Sequence, residues 1–188
     1  MPISKITLRG FTMIETLIVA ALGVSMLIIL TILIFNFNKT STYQQALIAS
    51  SGSASTLMRS IGSLVLPASA VLQAHTFSSA TYTSTSTALV LEIPSIDNSG
   101  NVIANTYDYA VFYASSTKAY RLLEANVLSS RVSETKLLSS TINTLIFTYN
   151  NTDFTQVHTI TVDVRTQTYA KEDVLSDHRR EQFRLRNF

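Results

Sequence analysis

The sequence predicts an α+β fold in which one long N-terminal helix packs on an antiparallel β-sheet. Three observations carry this reading. Thr16 to Phe35 is an apolar run of 20 residues without a charge. From Tyr43 to Ala68, apolar and small residues recur at alternating steps of four and three. From Ala88 onward, short β-rich segments alternate with turn signals. At 188 residues, the chain has the length of one ordinary domain with a real core. Hydrophobic residues make up 46% and charged residues 14%. The charged fraction falls below the roughly 25% usual in soluble domains, which points to a membrane segment. There is no cysteine, so disulfides, thiolate nucleophiles and Cys-based zinc sites are excluded, while the compartment stays open.

Taken in order, the run TLIVAALGVSMLIILTILIF would cover about 30 Å as a helix, one hydrocarbon core. It is too long for the apolar region of a secretory signal peptide, and no A-x-A-like site follows Phe35. Asn36, Asn38 and Lys39 form its polar boundary. Lys5 and Arg9 precede it, so the positive-inside rule places the N-terminus in the cytoplasm and residues after about 39 outside. The expected topology is a single membrane pass. Ala20, Ala21, Gly23 and Ser25 punctuate the span. The Ala21–Ser25 spacing fits either close helix approach or ordinary membrane-helix composition.

The stripe Tyr43, Leu47, Ser50, Ala54, Leu57, Ile61, Leu64 and Ala68 continues the helix as an amphipathic half, with Ser50 its weak member. Gly52 and Gly62 each cost about 1 kcal/mol relative to alanine, so packing must hold this half. Pro67 marks its end. His75 to Thr87, rich in Ser and Thr, reads as a surface loop or edge strand. Strands are expected over Ala88–Pro94, Tyr107–Ala114, Ala119–Leu123, Thr144–Tyr149, Thr159–Tyr169 and Glu181–Phe188, about six in all. Tyr107–Ala114 and Ala119–Leu123 form a hairpin about Ser115–Lys118. Ile160, Val162 and Val164 alternate with Thr161, Asp163 and Arg165, the mark of a sheet with one buried face. Glu134 to Ser140 reads as a helical turn, and the charged stretch before the last strand as a solvated connection.

Glu15 stands apart. A charge within a span costs roughly 2.5–3.5 kcal/mol at the helix centre and less toward an end. No basic residue lies between Glu15 and Lys39, so its partner is expected from outside the span or from a cut chain end. Gly10-Phe11-Thr12-Met13-Ile14-Glu15, followed by the apolar run, resembles the N-terminal processing motif of type IV prepilins and type II secretion pseudopilins. The resemblance covers residues 1 to about 38. It implies a pilin-like fold and cleavage after Gly10 by a membrane prepilin peptidase, followed by methylation of the new amine of Phe11. It also implies a role for Glu15 in pairing with the N-terminal amine of a neighbouring subunit. The partners it implies are that peptidase, other pilin or pseudopilin subunits, and an inner-membrane assembly platform. Many major pilins carry a proline where this chain has Ile32, so no proline kink is expected and a minor subunit is favoured. Leu185-Arg186-Asn187 is similar to the end of some minor subunits. The domains implied are a cleaved leader 1–10, an assembly half 11–38, and an extracytoplasmic domain 39–188.

Other chemistry is thin. His75, His158 and His178 belong to no metal-ligand pattern. Asp97, Asn98 and Asn101 resemble the start of a calcium loop, but the glycine comes two residues early, and a strand-connecting turn is the expectation. Glu172, Asp173 and Asp177 would need a cleft for acid–base work. Arg179, Arg180, Arg184 and Arg186 form the basic cluster outside the leader, interrupted by Glu181; the formal charge of +2 is too small to argue for nucleic acid, which is not the expected partner. No nucleophile elbow or phosphate loop appears. The expected function is therefore assembly, without catalysis or cofactor. A major pilin, a DNA-uptake subunit and a plain anchored binding domain are the alternatives.

Overall fold

The computed structural model describes residues 12–171 and 173–186. The chain divides into two compact units, Met1–Gln44 and Gln45–Phe188. Helix α1, Met13–Val65, supplies the described part of the first unit and the opening element of the second. In the first unit, none of the residues from Met13 to Thr40 is buried.

In the second unit, α1 runs to Val65, two residues short of Pro67. Ten strands follow: β1 (Ala70–Val71), β2 (Ala74–Thr76), β3 (Thr81–Thr83), β4 (Ala88–Ile96), β5 (Val102–Ser115), β6 (Lys118–Glu124), β7 (Glu134–Ser139), β8 (Ile142–Tyr149), β9 (Thr159–Ala170) and β10 (Asp173–Arg184). They form a five-stranded sheet β1-β4-β5-β6-β7, a three-stranded sheet β10-β9-β8 and a two-stranded sheet β2-β3, antiparallel throughout. The fold is thus α+β, with one long helix packed against antiparallel sheets.

The alternation of apolar residues explains how both larger sheets share that helix. Leu89, Leu91 and Ile93 of β4, Phe112 of β5, Phe147 of β8 and Ile160, Val162 and Val164 of β9 join Leu57, Met58, Ile61 and Leu64 in one buried cluster. Each large aliphatic side chain buried there contributes about 1.5–3 kcal/mol. The predicted stripe is buried from Ser50 to Ala68, whereas Tyr43 and Leu47 stay exposed. Ser50 belongs in the stripe because it has a partner. The Thr166 hydroxyl donates to the Ser50 carbonyl at 3.0 Å, which leaves the Ser50 hydroxyl to donate to Thr166 Oγ1 at 2.8 Å. Gly62 serves the closest approach. A Cβ there would sit 2.7 Å from the Phe183 ring.

The structure corrects four expectations. Among the described residues, ten strands in three sheets replace about six in one. Glu134–Ser139 is a strand, held by pairing with β6 and by the Arg121–Glu134 ion pair rather than by local helix propensity. The Ser/Thr-rich stretch contains the β2-β3 hairpin, and buried Phe77 packs with Val90 and Val111 on the far side of the five-stranded sheet. That sheet is therefore buried on both faces at its centre, which explains why the ALVL run of β4 is continuously apolar. The charged connection before the last strand is itself strand. β10 begins at Asp173 and pairs with β9 along twelve residues.

One ionic hub fixes the loop from Ala125 to Ser133. Asp108 of β5 is fully buried. Its carboxylate accepts from Ser95 Oγ at 2.7 Å, Asn126 N at 2.8 Å, Ser129 Oγ at 2.7 Å and Arg131 Nη1 at 2.6 Å. Arg131 also donates to the Pro94 carbonyl at 2.7 Å, beside the bulge between Pro94 and Ile96. Burial pushes the Asp108 pKa up. The Asn126 amide, Arg131, Ser129 and Ser95 outweigh it together, and the carboxyl is held below its ordinary value.

Two outcomes follow from this packing. Gly62→Ala should destabilise the second unit by about 1–3 kcal/mol through overpacking against Phe183, read as a lower denaturant midpoint with an unchanged m-value. Asp108→Ala should cost about 3–5 kcal/mol because Arg131 loses its partner. A depressed folded-state pKa stabilises the fold above the unfolded value of about 3.9. That stabilisation fades as pH falls through the folded value. Unfolding followed from pH 7 downward should therefore show a steeper acid loss in the parent protein than in Asp108→Asn.

Candidate functional site

The candidate site lies at the head of α1. Lys5, Arg9, Gly10 and Phe11 fall outside the described residues. Thr12 and Glu15 fall within them, and they form a reciprocal cap. Thr12 Oγ1 accepts from the Glu15 amide at 3.3 Å, while Glu15 Oε2 accepts from the Thr12 amide at 2.8 Å and the Thr12 hydroxyl at 2.9 Å. This is the capping box, a Thr followed three residues later by a Glu, which satisfies N–H groups that the first turn leaves unpaired. The helix dipole also favours an acid in that turn.

The sequence expectation of a charge partner from outside the span or from a cut chain end did not include this neutral cap. One carboxylate oxygen is held locally by Thr12. The T-x-x-E spacing was legible and would have found it. Among the described residues Glu15 Oε1 accepts no hydrogen bond.

The hydroxyls downstream are satisfied within the helix. Ser25 donates to the Ala21 carbonyl and Thr31 to the Leu27 carbonyl, each at 2.8 Å. Such back-bonds let polar residues sit in an apolar span without an external partner. A Cβ added at Gly23 would meet nothing within 4 Å. The span is long and apolar enough to cross a membrane, by length and composition.

The remaining candidates are spread through the second unit. Asp97 sits in the β4–β5 turn, where its carboxylate accepts from the Ser99 and Asn101 amides at 2.8 and 2.9 Å. The Asn101 amide leads the contacts that hold its pKa below the ordinary value. Asn101 Nδ2 adds a longer bond at 3.3 Å, and Gly100 takes a φ of 82°. These bonds turn Asp97 and Asn101 toward each other as a turn closure, with Asn98 in between. Among the described residues, no group of three His, Asp or Glu side chains could hold a metal ion.

His75 stacks on Tyr109 with ring centroids 3.7 Å apart, and His178 meets Asp163 at 3.0 Å. The C-terminal arginines do not converge. Arg179 turns toward α1 and donates to Ser51 Oγ at 3.0 Å and Ser55 Oγ at 3.3 Å, whereas Arg180 and Arg184 lie on the alternate face of β10. Asp177 pairs with Arg179.

The architecture is pilin-like: a long, apolar N-terminal helix packed on antiparallel β-sheet. No protein-family model matches the chain, and no curated protein or solved structure matches it.

Removing the cap tests its local role. Thr12→Val should cost about 1 kcal/mol at the helix start, which corresponds to about fivefold faster amide exchange at Glu15 in micelles, with amides beyond Gly23 unaffected.

Proposed function

We propose that this chain is a minor pilin or pseudopilin. It enters the inner membrane as a precursor, is cut after Gly10 and methylated at Phe11, and joins a type IV pilus or type II secretion pseudopilus that it helps to prime. The observation that carries the reading is Glu15 itself, capped by Thr12 at the head of the helix, four residues after Phe11 and just before the exposed, charge-free stretch Thr16–Phe35.

The chemistry is that of a charge pair. Cleavage turns the Phe11 amide nitrogen into a positive amine at the membrane edge. An opposite charge within a few ångströms offsets the cost of holding the carboxylate there. Thr12 keeps one oxygen in place, so the other is presented in a fixed direction to a neighbouring subunit's amine. Lys5 and Arg9 leave with the leader, after holding the N-terminus on the cytoplasmic side for the peptidase. The span then supplies lateral packing, and the second unit supplies specific partners. On this reading the chain is a substrate of an enzyme and itself catalyses nothing.

The capping box favours one rival. A plain signal anchor could use Thr12 and Glu15 simply to begin its helix. The two readings differ in the fate of residues 1–10. Intact-mass measurement of the protein from its own host should show their loss plus one methyl group. Retention of the leader would leave the plain anchor.

A further inference from the structure

We propose that copies of this chain join edge to edge, with β10 of one copy pairing antiparallel to β7 of the next. The contact lies within the second unit and goes beyond the assembly reading, so its failure would leave leader cleavage untouched.

Both strands end their sheets. β7 closes one side of the five-stranded sheet and β10 one side of the three-stranded sheet. Among the described residues, the outer backbone edges of Glu134–Ser139 and Asp173–Arg184 bond to no other segment. Such an edge is a template for a further strand. The irregularity opposite Ala119 and Tyr120 turns Leu138 into the core, so the ladder that β7 offers runs from Glu134 to Leu137.

Charge selects the partner and the register. On β7, Glu134 and Lys136 lie beside Leu123 and Arg121, on the face turned to α1. Lys136 sits directly opposite Arg121 and makes no ion pair or hydrogen bond among the described residues. An acid on its open side would relieve that. On β10, Asp177 and Arg179 share the face turned to α1 with Leu175, and Arg179 reaches Ser51 and Ser55. Pairing Glu134 with Arg179 of the next copy places Lys136 against Asp177. Thr135 then meets His178, and Leu137 meets Ser176, on the other face. Within each copy, Glu134 keeps Arg121 and Asp177 keeps Arg179, so the contact joins two ion pairs into one row of alternating sign.

Neighbouring registers fail. A shift by two residues sets Glu134 against Asp177 in one direction. In the other it sets Glu134 against Glu181 and Lys136 against Arg179. Like charges directly opposite destabilise a pair. A shift by one residue would put the two charged faces on opposite sides of the sheet.

Polarity selects unlike edges over like ones. β10 runs with α1: Leu175 packs with Ala46, Arg179 reaches Ser51 and Ser55, and Phe183 abuts Gly62. β7 runs back against it. Its Glu134 end shares a row with Leu123, Ala110, Leu91 and Val71, beyond the end of α1, while Ser139 at its other end bonds Ser53. Antiparallel β10–β7 pairing therefore brings α1 of both copies in from the same end, as chains anchored in one membrane require. Antiparallel pairing of β10 with β10, or of β7 with β7, would reverse one helix. The interface is heterologous, so each added copy leaves one edge of each kind open.

The chain has no cysteine, so introduced ones report the contact directly. Thr135, Lys136 and His178 are exposed, and their substitution spares the core. Full-length Thr135→Cys and His178→Cys chains, mixed in non-ionic detergent at low salt under mild oxidation, should form a mixed disulfide dimer, because directly opposite residues fall within disulfide reach. The yield should be at least tenfold that of Thr135→Cys mixed with Ser176→Cys or Arg180→Cys. A chain bearing both cysteines should form a ladder of multimers. Adding Lys136→Glu to the Thr135→Cys chain should cut the yield at least tenfold, and adding Asp177→Lys to its partner should restore it. The proposal is overturned by absence of the mixed dimer, by equal linking at the shifted positions, by preferential linking of either cysteine to itself, or by a yield that Lys136→Glu leaves unchanged.

Discussion

The fold rests on one helical stripe. Leu57, Ile61 and Leu64 receive the inward faces of a five-stranded and a three-stranded sheet at once. Neither sheet closes on the other through a continuous ladder, so α1 is the element around which their apolar faces meet. Polar cross-links at the seam include the Phe147 amide donating to the Ser86 carbonyl, the Ile142 amide donating to the Thr117 carbonyl, and the Tyr149 hydroxyl proton shared between the carbonyls of Thr85 and Ala88. Burial supplies the energy, and these bonds fix the register in which it is collected. Where the helix face turns polar, hydroxyls take over the contact. Ser50 meets Thr166, Ser53 meets Ser139, and Ser51 and Ser55 take Arg179.

At the other end of the same helix, the physical problem is reversed. There the side chains are apolar and exposed, and the one acid is the exception. Thr12 resolves half of that exception by holding Oε2. A carboxylate fixed on one side and open on the other can keep its charge at the helix start and still recognise a cation. The local cap and the proposed assembly contact are therefore complementary uses of one side chain. The cap sets the direction, and a cut chain end would supply the charge.

Much of this was legible in the sequence. The charge-free run, the four-and-three stripe ending before Pro67, and the alternation of β9 each follow from a periodicity that local chemistry imposes. The hairpin about Ser115–Lys118 was equally plain, and Ser116 takes the φ of 55° that such a tight turn requires. What stayed hidden depended on long-range pairing. β7 carries Glu134 and Lys136 on an exposed edge, so no alternation marks it. The N-terminal half of β10 is charged because one of its faces looks outward and the other reaches hydroxyls of α1. β2 and β3 are three residues each and are held by packing on Val90 and Val111. Asp108 gave no sign of being a buried hub, because its partners Ser95, Asn126, Ser129 and Arg131 come from distant segments. At the candidate site the acid and its neighbours were readable, and the T-x-x-E cap was equally present in the letters.

The central claim is that Glu15 meets the amine of an adjoining subunit. Solid-state NMR on assembled fibres tests it most directly, with this chain carrying a ¹³C-labelled Glu15 carboxyl and the other subunits ¹⁵N-labelled N-terminal amines. The account predicts a dipolar contact placing carboxylate oxygen and amine nitrogen within about 4 Å of each other. Assembled fibres in which the labelled carboxyl shows no contact with any neighbouring amine would contradict it.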